Sequence, residues 1–157
     1  MHLTRFTDYA LRAMGYLALE PEKRSTVGTV AKRMGMSEDH LLKVVQRLSQ
    51  AGLVKTIRGR KGGVRLARRP DEIFIGEVVR KTEDNLRIVP CFDDANKSCP
   101  ITAACGISPM MEQALGAFLS TLDRYTIADM IVHREELLQL TLGNRREGQE
   151  VPEQAMA

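Results

Sequence analysis

The chain has no long apolar run: nothing in its 157 residues approaches the roughly 18 consecutive apolar residues that span a bilayer. Tryptophan is absent, histidine occurs only as His2, His40 and His133, and cysteine only three times. The opening Met1 to Asp8 has no apolar segment and already carries a carboxylate, which is not the pattern of a secretory leader, so the expected location is the cytoplasm. No internal repeat is present. The one glycine-rich basic stretch does not end in Gly-Lys-Ser/Thr, because Gly63 is followed by Val64, and this excludes a phosphate-cradling nucleotide loop. Paired acids and a substrate-binding loop are also missing. A nucleophilic cysteine enzyme would need a histidine beside a thiol, and His40 already falls inside a helix with another assignment, so no enzymatic activity is expected.

What is present fits a globular chain, with 43% hydrophobic and 27% charged residues. Its length suits one domain, or one domain with an appended element. The net charge of +3 conceals a division. Residues 1–80 hold 16 Lys/Arg against 8 Asp/Glu, a balance of +8, and residues 81–157 hold 7 against 12, a balance of −5. A basic front half points to a polyanionic partner; chance clustering on a solvated surface is the competing reading.

Periodicity decides between them. From Thr4 to Leu19, Ala10, Leu11, Met14, Leu17 and Ala18 fall on one helical face, and the segment stops before Pro21. A second helix is expected over Val27–Met34, with Ser25-Thr26 as cap candidates and Gly35 after it. A third begins at Ser37 and carries Leu41, Val44, Val45 and Leu48 before Ala51-Gly52 ends it. Two short amphipathic helices joined by Gly35-Met36-Ser37 have the form of a helix-turn-helix. Leu53 to Arg58, then Gly59-Arg60-Lys61-Gly62-Gly63, then Val64 to Ala67 read as a β-hairpin with a basic glycine-rich tip. The expected fold is therefore mainly α with a small β-hairpin wing, a winged helix-turn-helix followed by a long dimerisation helix.

In that fold the second helix of the motif enters the major groove. This nominates Ser37, His40, Lys43, Gln46 and Arg47, along with Glu38 and Asp39, as the groove-facing set. Arg58, Arg60 and Lys61 at the wing tip would meet phosphates or a narrow minor groove. The winged unit spans residues 1–82, with the helix-turn-helix at about 27–51 and the wing at about 53–67. Within it Ile73-Phe74-Ile75 leads to a helix over Gly76–Thr82. Residues 83–109 form a loop holding all three cysteines, and residues 110–142 a long helix with a C-terminal helical turn at Leu137–Leu142. Residues 143–157 are expected to be a disordered tail. In the long helix Met111, Leu115, Phe118, Leu122 and Tyr125 recur at spacings of 4, 3, 4 and 3, the seam of one helix against a copy of itself; packing on its own domain is the alternative.

Cys91, Cys99 and Cys105 are an odd set in a reducing compartment, so a disulfide framework is not expected. Zinc favours four ligands and close Cys pairs, which this spacing does not offer. An iron–sulfur cluster uses thiolates and tolerates a non-thiolate ligand.

Taken together, Leu3-Thr4-Arg5-Phe6-Thr7-Asp8-Tyr9-Ala10-Leu11-Arg12-Ala13, the Ser37–Gly52 helix, Arg58-Gly59-x-x-Gly62-Gly63, the three-cysteine loop and Leu122-Asp123-x-Tyr125-Thr126-x-Ala128-Asp129 carry a resemblance over residues 1–132. The chain resembles the nitric-oxide-sensing repressors of the NsrR type, in the winged-helix family that also contains IscR. The resemblance implies a homodimer on palindromic operator DNA with one iron–sulfur cluster per subunit, 4Fe-4S with 2Fe-2S as the alternative. Cys91, Cys99 and Cys105 would be the thiolate ligands, and Asp8 of the other subunit the fourth. Asp8 could instead pair with Arg12 four residues on. IscR-like members place a histidine three residues after the last cysteine; here that residue is Ser108, against that subtype. A sensor of iron, oxygen or redox state in the same family, and a zinc-stabilised adaptor, are the alternative functions.

Overall fold

The computed structural model describes residues 2–59, 62–92, 99–101 and 104–142. Helix α1 (Arg5–Leu19) starts at Thr4, whose hydroxyl accepts the amide of Thr7 at 3.3 Å. It runs through the middle of the fold: Ala10 and Met14 are fully buried, and its last seven residues are all buried. Helix α2 (Val27–Met34) is capped by the Thr26 hydroxyl and closed by Gly35, which takes the left-handed φ of 65° that a side chain would resist. Helix α3 (Glu38–Gln50) is capped by Ser37 and turns Leu41, Val44, Val45 and Leu48 inward onto α1 and α2. All three agree with the expected elements to within a residue, because each carries its own start and stop chemistry.

Strands β1 (Val54–Ile57) and β2 (Gly63–Leu66) pair antiparallel, with Val54 opposite Leu66 and Lys55 opposite Arg65. Ser25 pairs with Val64 on the other edge of β2 through two backbone hydrogen bonds, so the hairpin is anchored to the chain between α1 and α2. Buried Val54, Val64 and Leu66 close the core from this side. Helix α4 (Ile75–Thr82) adds Val78 and Val79, both fully buried.

Helix α5 spans Ile107–Leu122, and none of its residues is buried. It begins three residues before the expected Met110, because Pro109 sits in its first turn, where a missing amide hydrogen costs nothing. It also ends before Tyr125, which the seam spacing had included. The Tyr125 carbonyl instead accepts the amide of Ile75 at 2.8 Å, and Ile127 donates to Ile73 at 2.9 Å, so the chain leaving α5 pairs with the segment entering α4. Ile127 is fully buried in the common core. Helix α6 (Arg134–Leu142) starts three residues before the expected Leu137. Arg134 Nε donates to the Leu19 carbonyl at 2.9 Å, which ties α6 to the end of α1. The expected tail at 143–157 lies outside the described residues.

Candidate functional site

Burying Leu41, Val44, Val45 and Leu48 leaves the opposite face of α3 to solvent. Ser37, Glu38, Asp39, Lys43, Gln46 and Arg47 are exposed there. Leu42 lies among them, 49% exposed, an apolar member of a polar face that the inward spacing does not flag. In a major groove such a side chain suits a thymine methyl. The Ser37 hydroxyl is engaged as the cap, accepting the His40 amide at 3.4 Å. His40 turns sideways: its half-buried ring lies 5.4 Å from that of Tyr9 and 6.4 Å from that of Phe6, both in the first turns of α1. A Cβ at Gly28 would come 3.0 Å from the carboxylate of Glu38, a flexible, exposed side chain at the start of α3.

At the wing, Arg58 is exposed and Gly59 has φ of 103°. Gly62 donates to the Gly59 carbonyl at 2.8 Å, and a Cβ at Gly62 would fall 2.3 Å from the Ile57 carbonyl oxygen, so this turn demands glycine. Arg60 and Lys61 lie outside the described residues.

Cys91 belongs to a short 3-10 turn, Pro90–Phe92, and is half-buried; Cys99 is exposed; Cys105 is half-buried two residues before α5. No disulfide joins them. Their chemistry suits a soft, thiolate-bound group such as an iron–sulfur cluster. Among the described residues, no group of three or more His, Cys, Asp or Glu side chains gathers where one metal ion could be held. Asp8 Oδ2 accepts Arg12 Nη1 at 3.3 Å, and Arg12 Nη2 donates to the Met34 carbonyl at the end of α2. The carboxylate nominated as a ligand therefore helps orient the arginine that fastens the helix-turn-helix to α1.

Three consecutive residues, at the end of α4 and the head of the cysteine segment, were not nominated from sequence; Glu83 and Asp84 join the segment to the start of α1 and to α3. The Thr82 hydroxyl meets that of Thr7 at 2.9 Å in a buried contact. Glu83 accepts the amide and hydroxyl of Thr4, at 2.8 and 3.0 Å, at the start of α1. Asp84 accepts Arg47 Nη2 of α3 at 2.6 Å. These partners are 37 to 79 residues apart in sequence, and no local pattern announces them.

At the far end of α4, Arg80 and Asp123 make a paired contact, each nitrogen 2.6 Å from a carboxylate oxygen. Hydrogen bonds from Arg80 hold the Asp123 carboxyl below the usual carboxylate range. The pair passes over Gly76, where a Cβ would fall 2.0 Å from Asp123 Oδ1. Asp129 is also shifted down, chiefly by the Thr126 amide at 2.7 Å and then by its hydroxyl at 2.8 Å.

Comparison with known proteins places this geometry. The profile of the family described as "Rrf2: Iron-dependent Transcriptional regulator" matches residues 3–133. The chain is 46% identical over 141 residues to the HTH-type transcriptional regulator NsrR of Bacillus subtilis, covering 89% of this chain and 97% of that protein. The structure resembles that of T. potens IscR, with a TM-score of 0.69 at 29% identity over 87% of this chain and 90% of the other. It also resembles CymR, the global cysteine regulator of B. subtilis, with a TM-score of 0.66 at 27% identity over 85% and 98%.

Proposed function

The chain belongs to the Rrf2 family of iron-dependent transcriptional regulators, and from that premise we propose that it is a nitric-oxide-responsive repressor that binds operator DNA as a homodimer while an iron–sulfur cluster is in place. The observation that carries this reading is the arrangement of Glu83 and Asp84: a segment bearing three thiols is bonded at its head to both the start of α1 and the exposed helix α3. In this proposal a change in how the cysteines are held reaches the face that reads DNA through these bonds.

In this proposal Cys91, Cys99 and Cys105 hold the cluster, 4Fe-4S rather than 2Fe-2S, and Asp8 of the partner subunit completes it. When bound, such a cluster supplies iron open to attack by nitric oxide. The rest belongs to the chain. Asp8 holds Arg12 in the structure, and Arg12 holds the Met34 carbonyl. A carboxylate drawn to another partner leaves Arg12 and the end of α2 differently restrained, and a carboxylate given back restores the pair. Two recognition helices meet half-sites about 34 Å apart or a multiple of it, so a small rotation of each unit costs contacts on both. Going from nearly all bound to nearly all free requires about 5.5 kcal/mol of difference between the two states. Helix α5, apolar and without a buried residue, supplies the face on which two copies meet.

Iron and sulfide content and the visible spectrum of anaerobically purified protein test the reading. Brown protein that bleaches with nitric oxide is the expected result, with iron lost in Cys91→Ser, Cys99→Ser and Cys105→Ser. Asp8→Ala should keep its iron and lose control of DNA binding. Colourless, zinc-loaded protein contradicts the proposal. Brown protein indifferent to nitric oxide moves it to the second reading, an iron, oxygen or redox sensor, which the family description "iron-dependent" favours.

A further inference from the structure

The wing carries more positive charge than its tip. Lys55 of β1 stands directly opposite Arg65 of β2. On the other edge of β2, Ser25 and Val64 exchange two backbone hydrogen bonds, at 3.1 and 2.8 Å, a register that sets Arg24 across from Arg65. Side chains alternate between the faces of a strand, so while Val54, Val64 and Leu66 turn inward, Arg24, Arg65 and Lys55 form a row across the outer face. Gly63 makes room for the row's first member: a Cβ there would lie 3.2 Å from the Cβ of Arg24.

Like charges directly opposite one another destabilise a sheet, and a structure normally relieves this with carboxylates. Arg12, Arg47, Arg68, Arg69 and Arg80 all have such partners. Arg24, Lys55 and Arg65 make no ion pair among the described residues. Arg65 Nε is moreover buried with no acceptor, the only such side-chain atom among the described residues. Arg65 borders an open groove of about 810 Å³ that Glu22, Asp71 and Glu72 also line, yet Glu22 makes no bond to it and Asp71 is held by Arg69. An unrelieved row of three cations is a site for an anion that comes from outside the chain.

We propose that Arg24, Arg65 and Lys55 form a phosphate-binding track for the nucleic-acid backbone, extending the DNA footprint from the wing tip at Arg58 onto the outer face of the wing. The proposal rests on the DNA-binding reading above. Phosphate oxygens laid along the row would relieve the repulsion among its three cations. Because the contact is with the backbone, it adds affinity without base preference.

The test uses the full-length protein and a mixed-sequence duplex of about 30 base pairs, three helical turns, titrated over a range of salt. Arg65→Gln and Lys55→Gln should each lower the slope of log affinity against log salt by about 0.9 and weaken binding several-fold at low salt. The same variants should melt at a higher temperature than wild type, since each relieves repulsion; a merely structural role would lower it. Arg65→Lys should keep the slope. Unchanged slopes in Arg65→Gln and Lys55→Gln, beside a reduced slope in Arg58→Gln, overturn the track and leave DNA binding intact. Unchanged slopes in all of them overturn DNA binding through the wing as well. If inorganic phosphate raises the melting temperature of wild type but not of Arg65→Gln, and the DNA slopes do not move, the row serves a small anion and the backbone assignment is wrong.

Discussion

Helices α1 and α5 have nearly the same length, 15 and 16 residues, but nine residues of α1 are buried and none of α5. The difference is not one of composition, since α5 carries Ile107, Met110, Met111, Leu115, Phe118, Leu119 and Leu122. Helix α1 is surrounded by α2, α3, α4 and the wing, so its apolar face is covered by its own chain. Among the described residues helix α5 packs chiefly on α4, and Ile107 and Met110 are more than half exposed. One helix completes a core; the other leaves apolar side chains exposed.

That contrast can be broken at either helix. Met14→Ala, which removes a fully buried side chain from α1, should cost about 2–5 kcal/mol by urea unfolding and take DNA binding with it. Phe118→Ala in α5 should leave the helical circular dichroism intact and weaken self-association by ten- to a hundred-fold in sedimentation, from the roughly 1.5–3 kcal/mol of a large apolar side chain. If Phe118→Ala unfolds the protein without shifting the monomer–dimer balance, α5 is a core helix and the contrast fails.

The junction between the two regions gives smaller effects. Gly76→Ala places a methyl where the Asp123 carboxylate lies and should push that exposed side chain off Arg80, with only a slight change in melting temperature because alanine's helix preference offsets the lost pair. The Asp123 carboxyl is held low by Arg80, so its contribution is present above the usual carboxylate range and fades as pH falls through it. Asp123→Asn should accordingly flatten the loss of stability on acidification, read as melting temperature against pH. Asp84→Asn removes an exposed pair worth at most about 1 kcal/mol. It should leave stability nearly unchanged, free Arg47, and tighten DNA binding up to about five-fold; no gain in binding would mean that Arg47 does not compete between Asp84 and phosphate.

Much of α1–α3 and the wing is legible in the sequence because each element is bounded by local chemistry. Thr4, Thr26 and Ser37 cap the helices, Gly35 and Gly52 end two of them, and Gly59 and Gly62 turn the hairpin. At α5 the signals misled for physical reasons. Pro109 reads as the end of a loop but is tolerated inside a first turn, and the seam spacing runs on to Tyr125 although pairing with Ile73 and Ile75 has already drawn the chain out of the helix. The side chains of α3 were identified as a set; that His40 would turn onto Phe6 and Tyr9 depends on the packing of α1 against α3, which no local pattern encodes. The same holds for Thr82, Glu83 and Asp84, whose partners lie across the fold.

The central claim is that the state of the cysteine segment governs DNA binding by the winged unit. Its most direct test is fluorescence anisotropy of a duplex selected by the anaerobic protein from random sequence, followed while nitric oxide is added and the visible spectrum is recorded in the same cuvette. The account predicts that the duplex is released in step with bleaching. Bleaching with the duplex still fully bound would contradict it.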